Sequence, residues 1–306
     1  MQVTFCDFGA AITSIKIPLN DQIIDAALGF DDIEDYQNSY ELPNKPFVGA
    51  VVGLHAGRVN AGKYSNGKQT VQLEKNTGKH HLHGGTINLS NQLWKLISHT
   101  DDEVTYSILT NNGKTQITAV YHIKDFCIKV LLSAKTDEEV LINLTQHSYF
   151  NLEGHDGDVT HLKMKINADC ILETDSDLIP TGKFVEVKDS KFNFLEFNNC
   201  PAEIDTSFVL NNLDQPAAVL YNPINKLKME IRTNQPTVHF FVGGDCAPLK
   251  GKGMVSYHKT SGICFEAQNY PDSPNHINFK NGILLPEETY VNEIEYNFFP
   301  NSNLSI

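Results

Sequence analysis

Five short segments of this chain hold residues whose types and spacing could do acid–base chemistry or grip a polar ligand. The most telling is Gly262-Ile263-Cys264-Phe265-Glu266-Ala267-Gln268-Asn269-Tyr270-Pro271-Asp272. Strand alternation would put Ile263, Phe265 and Ala267 on one face and Cys264, Glu266 and Gln268 on the other. A lone glutamate inside an apolar strand is costly unless its carboxylate has a partner or a purpose, and burial makes a carboxylate a stronger base. Glu266 is therefore a candidate general base. A second segment, Asn143-Leu144-Thr145-Gln146-His147-Ser148-Tyr149-Phe150-Asn151-Leu152, places one imidazole between polar neighbours and an apolar pair. Histidine titrates near neutral pH, so a partner group nearby would make His147 a general acid; a structural histidine satisfied by the backbone is the other reading.

Three further segments could bind rather than react. In Val52-Gly53-Leu54-His55-Ala56-Gly57-Arg58-Val59 the arginine has little bulk beside it, and its guanidinium could donate several hydrogen bonds to ligand oxygens or tie loop carbonyls together. His81 and His83, two apart in Gly78-Lys79-His80-His81-Leu82-His83-Gly84-Gly85, would share a strand face. That spacing is compatible with metal binding only if a third ligand comes from elsewhere, and the double glycine leaves room for a ligand to reach His83. In Ile204-Asp205-Thr206-Ser207-Phe208 the carboxylate either caps a turn or accepts hydrogen bonds from ligand hydroxyls.

The elements that must position these residues read as strands. Short runs rich in Val, Ile, Thr, Tyr and Phe, bounded by Gly, Asn, Asp and Pro, recur at Val3 to Phe5, Ala11 to Ile17, Val104 to Leu109, Gln116 to Ile123, Phe126 to Ala134, Lys226 to Arg232, Thr237 to Val242 and Ile263 to Gln268. Period-two alternation is explicit in Ile12 to Ile17 and in Lys226 to Arg232. Helical periodicity is confined to short turns at Asp32 to Gln37 and near Pro201 to Ile204, and Asn111-Asn112-Gly113 marks a hairpin. No flexible linker divides the 306 residues. The expectation is an all-β chain, one domain over 1–306, built from two stacked antiparallel sheets.

Composition narrows the partners. A formal charge of −13, with only two arginines (Arg58 and Arg232), opposes binding to nucleic acid or anionic lipid. The N-terminus MQVTFCDFGA lacks the pattern of a signal peptide, and no apolar stretch is long enough to span a bilayer, so a cytoplasmic location is expected. Six scattered cysteines without a Cys-x-x-Cys pair indicate neither a zinc site nor a disulfide framework, only thiols that are mostly buried.

Taken together the segments resemble the galactose mutarotase (aldose 1-epimerase) family. The matching stretches run in order from Gly9-Ala10-Ala11-Ile12-Thr13-Ser14-Ile15 through Leu28-Gly29-Phe30-Asp31, Leu82-His83-Gly84-Gly85 and Thr145 to Leu152. They continue through Leu178-Ile179-Pro180-Thr181-Gly182 to Phe265-Glu266-Ala267-Gln268, Pro271-Asp272 and Asn275. The resemblance implies a large antiparallel β-sandwich of the galactose mutarotase-like supersandwich type, with an open sugar cleft and neither metal nor cofactor. It implies Glu266 as general base, His147 as general acid, His83 as a second ring-side imidazole, Arg58 and Asp205 as hydroxyl-binding groups, and Phe241 as an aromatic surface for the sugar. The substrate would be a free monosaccharide such as galactose or glucose. Exchanging its anomers needs the C1 hydroxyl to lose a proton while the ring oxygen gains one, and a carboxylate and an imidazole can supply both transfers. A hexose-6-phosphate 1-epimerase and a non-catalytic sugar-binding or regulatory module are the alternatives. The chain departs from the family pattern at Gly57, where the family has Asn, at Leu54, where its first Arg is lost, and at Gln146, which replaces an Asn.

Overall fold

The computed structural model describes residues 1–244 and 246–304; the last two residues of the expected 1–306 domain, Ser305 and Ile306, lie outside the described residues. Two large antiparallel sheets dominate. One has nine strands, running across the sheet from Asn198–Asn199 through Lys163–Ile166, Ala218–Tyr221, Lys228–Thr233, Tyr290–Phe299, Cys127–Thr136, Thr115–Lys124 and Glu103–Thr110 to Lys95–His99. The other has six, in the order Tyr149–Phe150, Ile263–Gln268, Thr237–Val242, Ile204–Val209, Cys170–Thr174 and Pro180–Glu186. A three-stranded sheet near the N-terminus and several two-stranded ribbons complete the architecture.

The inner faces of the large sheets meet because alternate side chains of each are apolar. Ile128, Val130, Leu132 and Ala134 from one strand, and Ile117, Ala119 and Tyr121 from its neighbour, join the same core as Phe208, Val238, Phe240, Phe265 and Ala267 of the six-stranded sheet. Phe150 of the six-stranded sheet lies 4.8 Å, centroid to centroid, from Tyr296 of the nine-stranded one, so aromatic rings span the seam. A buried Phe of this kind contributes roughly 1.5–3 kcal/mol by burial alone. Its second effect is orientation: with Val238, Phe240, Phe265 and Ala267 committed to the core, the alternating residues His239, Phe241, Cys264 and Glu266 must face the other way.

Most expected strands form within a residue or two of where the alternation places them, and Thr237–Val242 and Ile263–Gln268 coincide with it. Asn111-Asn112-Gly113 joins two neighbouring strands with all three residues at positive φ, which Asn and Gly tolerate. The Asp32 turn is a helix at Ile33–Ser39. Pro201 to Ile204 is not helical; it bends directly into the Ile204–Val209 strand, whose side chains are wanted by the sheet. In Ala11–Leu19 the expected wet face is dry as far as Ile15, because Thr13 and Ser14 are covered as well. Three of the six cysteines are buried and three half-buried. Among the described residues no helix is long and apolar enough to cross a membrane.

Candidate active site

The outward face of the six-stranded sheet forms the floor of a cleft. Strand register pairs Asp205 with Phe241, Ser207 with His239, His239 with Glu266, and Phe241 with Cys264, and Tyr149 pairs with Cys264 from the sheet edge. Three adjacent strands thus present Asp205, His239 and Glu266 side by side. The cleft has a volume of about 450 Å³, continuous with a recess of about 260 Å³ through shared residues Arg58, His83, Asp205, His239 and Glu266. This is the size of ordinary small-molecule sites. All six residues singled out in the sequence, Glu266, His147, Arg58, His83, Asp205 and Phe241, line it.

Glu266 is 2% exposed and His147 4%. Oε1 of Glu266 lies 3.5 Å from Nε2 of His147, too long for a strong hydrogen bond. Its buried Oε2 has no hydrogen-bond partner among the described residues. A carboxylate is rarely left so; here it is a free acceptor at the cleft floor. His147 follows the Thr145–Gln146 strand, and its backbone N–H donates to Ala50 O at 2.9 Å and to the Gln146 side-chain oxygen at 2.8 Å. Nδ1 of its ring lies 3.5 Å from the Cys264 thiol. Burial, reinforced by the charge of Glu266, pushes the thiol well above its ordinary pKa, so it stays protonated and can donate. With Nδ1 against the thiol, Nε2 is the ring nitrogen that faces Glu266 and the cleft. Cys264→Ala removes that partner of the His147 ring, and turnover at this site is expected to fall roughly three- to tenfold, the worth of one hydrogen bond, measured at saturating substrate.

His83 enters from the opposite wall. The Arg58–Val59 and His81–Leu82 strands pair, and the chain then turns at His83 with φ 49°. That turn overturns the expected shared face: His81 points inward, its Nε2 2.9 Å from Nδ1 of buried His55 and its Nδ1 2.8 Å from Glu74 O, while His83 faces the cleft. Burial and the neighbouring His81 push His55 down to about 3, so this pair is a neutral structural unit. Gly84 and Gly85 do not make room for a ligand. A Cβ on Gly84 would lie 2.0 Å from Gly53 O, and one on Gly85 2.6 Å from Glu74 Oε2, so both glycines permit tight packing of the turn. Gly57 behaves alike: φ is 77°, and a Cβ would lie 2.8 Å from Pro271 Cβ. The departure from Asn at this position is thus met by a proline packed on the bare Cα.

Gly57 N–H donates to Nδ1 of His83 at 3.2 Å. Burial first, then the neighbouring His147, Arg58 and His239, hold His83 well below the ordinary histidine pKa, so it is neutral. A neutral ring that accepts at Nδ1 carries its hydrogen on Nε2 and is a fixed donor. Ligating atoms of His83, His147 and Glu266 come within 4.8 Å of one another, a compactness that a metal could also use. The His83 tautomer opposes this, because Nε2 presents a hydrogen where a metal needs a lone pair.

Elsewhere in the cleft, Oδ1 of Asp205 lies 3.0 Å from Nε2 of His239. Burial would raise the Asp205 pKa, but the His239 hydrogen bond and charge, with Arg58 beyond, hold it at about 2. It is a carboxylate under all ordinary conditions. For His239 burial disfavours the charge, yet Asp205 and then Glu266 outweigh it and raise its pKa above the usual value. His239, Cys264 and Phe47 escaped the sequence reading. For His239 and Cys264 the signal was present, since each shares a strand face with Phe241 or Glu266. Phe47, whose ring lies 5.0 Å from His83 and 5.7 Å from His147, belongs to a loop and carries no periodicity.

Comparison with known proteins agrees over the full length. A family model described as aldose 1-epimerase matches residues 1–297. The chain is 28% identical to the aldose 1-epimerase of Escherichia coli, over 97% of this chain and 92% of that one. It is 29% identical to the galactose mutarotase of Bos taurus, over 95% and 89%. An aldose epimerase homologue from C. elegans superposes with a TM-score of 0.90 at 25% identity, covering 98% of this chain and 96% of the other. Galactose 1-epimerase from Lactobacillus acidophilus gives 0.81 at 27% identity, covering 97% and 90%.

Proposed function

Because the chain belongs to the aldose 1-epimerase family, we propose that this cleft exchanges the α and β anomers of a free hexose such as galactose or glucose, with Glu266 and His147 as its acid–base pair. The protein is an isomerase, an aldose 1-epimerase. The observation that carries the residue assignment is the buried pair itself: Glu266 Oε2 is an unpartnered acceptor, and an imidazole nitrogen lies 3.5 Å from its other oxygen. Glu266 takes the C1 hydroxyl proton as His147, acting as the imidazolium, gives one to the ring oxygen. The C1–O5 bond opens, the aldehyde turns about C1–C2, and closure on the other face returns both protons. Atoms and charge balance without a redox step. His83 Nε2–H and the Arg58 guanidinium donate to sugar oxygens, Asp205 accepts from sugar hydroxyls, and Phe241 offers a ring to its apolar face.

A neutral monosaccharide suits the charge distribution. Arg232 is spent on Glu230 and Asp214 O at the surface, which leaves Arg58 as the arginine of the cleft. Lys45 and Lys259 also line it, and they are the groups a phosphate would need. The relatives named above do not favour the hexose-6-phosphate reading. The retained acid–base pair speaks against a non-catalytic sugar-binding module. The reading extends to one functional unit over the whole chain and to a cytoplasmic enzyme that a net charge of −13 keeps off nucleic acid.

The test follows anomer exchange of freshly dissolved α-D-galactose, glucose, xylose and glucose 6-phosphate by polarimetry or NMR. Exchange of the free hexoses well above the spontaneous rate is expected. Faster turnover of glucose 6-phosphate would reverse the ranking, and saturable galactose binding with no exchange would select the non-catalytic module.

A further inference from the structure

Asp205 has two carboxylate oxygens and two rotatable bonds, so its value as a sugar acceptor depends on something that decides which oxygen faces the cleft. The structure supplies it from the neighbouring strand. Nε2 of His239 lies 3.0 Å from Oδ1 of Asp205, and Nδ1 of the same ring lies 2.9 Å from Oγ of Ser207. Asp205 and Ser207 are two residues apart on one face of one strand, with His239 opposite Ser207 in register, so the three form a closed cross-strand bracket. The His239 side chain is 18% exposed and that of Asp205 35%. The ring is enclosed, while the carboxylate keeps one edge in the cleft.

We propose that His239, braced by Ser207, is a positioning residue that occupies Oδ1 of Asp205 and turns Oδ2 toward a sugar hydroxyl. This rests on the epimerase reading of the cleft and assigns a role to a residue that the acid–base step does not use. The bracket works in either charge state. In the imidazolium, both ring N–H groups donate, to Asp205 and to the Ser207 oxygen. In the neutral ring, the Ser207 hydroxyl donates to Nδ1 instead and the Nε2–H to Asp205 is kept. The charged and titratable groups around the ring are Asp205 on one adjacent strand, Glu266 on the other, and Arg58 and His83 from the opposite wall. The two carboxylates favour the imidazolium; Arg58 opposes it.

The experiment separates KM from kcat for galactose anomer exchange in wild type, His239→Ala, His239→Gln and Ser207→Ala. A hydrogen bond to a charged group is at stake, so His239→Ala is expected to raise KM about ten- to a hundredfold while kcat stays within about threefold. His239→Gln, which keeps an N–H donor, is expected to restore most of that loss, and Ser207→Ala to raise KM by a smaller factor. Galactose analogues deoxygenated at one position in turn give a second readout: on the analogue lacking the hydroxyl that Asp205 holds, wild type and His239→Ala should converge. An unchanged KM in His239→Ala, a loss confined to kcat, or equal damage in the Gln and Ala variants would overturn the proposal. So would a difference that persists on every analogue. Should His239→Ala fail to fold, the Gln and Ser207 variants carry the test, and wild-type KM in both would overturn it. A wild type that exchanges no aldose would sink the functional reading instead; galactose Kd in wild type and His239→Ala would then decide, equal values overturning the positioning role.

Discussion

Glu266→Gln is expected to lower kcat for anomer exchange by about 10³-fold while KM moves only a few-fold. The substitution keeps the volume and one oxygen acceptor, so the strand that holds Phe265 and Ala267 in the core has no reason to move. What it removes is the ability to take a proton. General-base removal typically costs about 10²–10⁴-fold, and burial at 2% exposure leaves little room for water to substitute as the base. Because sugars mutarotate spontaneously, the measurement is enzyme-dependent exchange above the buffer rate, by polarimetry or NMR exchange spectroscopy. Undiminished exchange would remove Glu266 from the mechanism. Loss of binding together with loss of rate would instead point to a collapsed cleft.

Lys252→Met should be the most damaging single change to stability, by about 3–5 kcal/mol at neutral pH. Lys252 Nζ lies 2.7 Å from Asp25 Oδ2, 2.9 Å from Thr13 O and 2.7 Å from Ala27 O, and the residue is 9% exposed. It ties the segment carrying Tyr257, His258 and Gly262, one wall of the cleft, to the N-terminal sheet. Burial by itself would raise the Asp25 carboxyl, but the Lys252 charge and hydrogen bond, with Ile15 N–H and the Ser14 hydroxyl, hold it below its ordinary value. Its contribution is therefore present above the unfolded carboxylate pKa and is lost as pH falls through the folded one. Without Lys252 the buried Asp25 is better protonated, so the sign reverses for the variant. The stability gap between Lys252→Met and wild type should be widest above about pH 5 and should narrow as pH falls below about 4. Urea unfolding across pH 3–8 checks this, with Asp25→Asn/Lys252→Met expected to recover part of the loss. A gap independent of pH would mean that packing, not the ion pair, sets the cost.

The strands that build the cleft floor were legible because each carries its orientation in its own alternation. Ile263, Phe265 and Ala267 against Cys264, Glu266 and Gln268 is a local statement, and once the sheet commits the first set to the core between the sheets the second must face the other way, although both sets are buried. Asp205 was read from its residue type, and Phe241 came only from the family resemblance. His239 carried the alternation signal, sharing a strand face with Phe241, but its cross-strand partners alone single it out as a cleft group. The loops were read least well. His81 and His83 have the spacing of a shared face, yet one turn of backbone at His83 sends them to opposite sides of a wall. Gly84 and Gly85 suggested ligand room and instead relieve contacts with Gly53 and Glu74.

By itself the amino-acid sequence determined the all-β class, the polarity of each strand and the kind of chemistry on offer: one apolar-strand glutamate, histidines and a single cleft arginine. These follow from periodicity and residue type, which are properties of neighbours along the chain. Only the tertiary structure decided that Glu266 and His147, 119 positions apart in the numbering, come within 3.5 Å, and that Ser207, His239 and Asp205 close into a bracket. Those contacts depend on strand order and register, which are set when two sheets bury their apolar faces together. No local pattern encodes a distance between elements that meet only in the core.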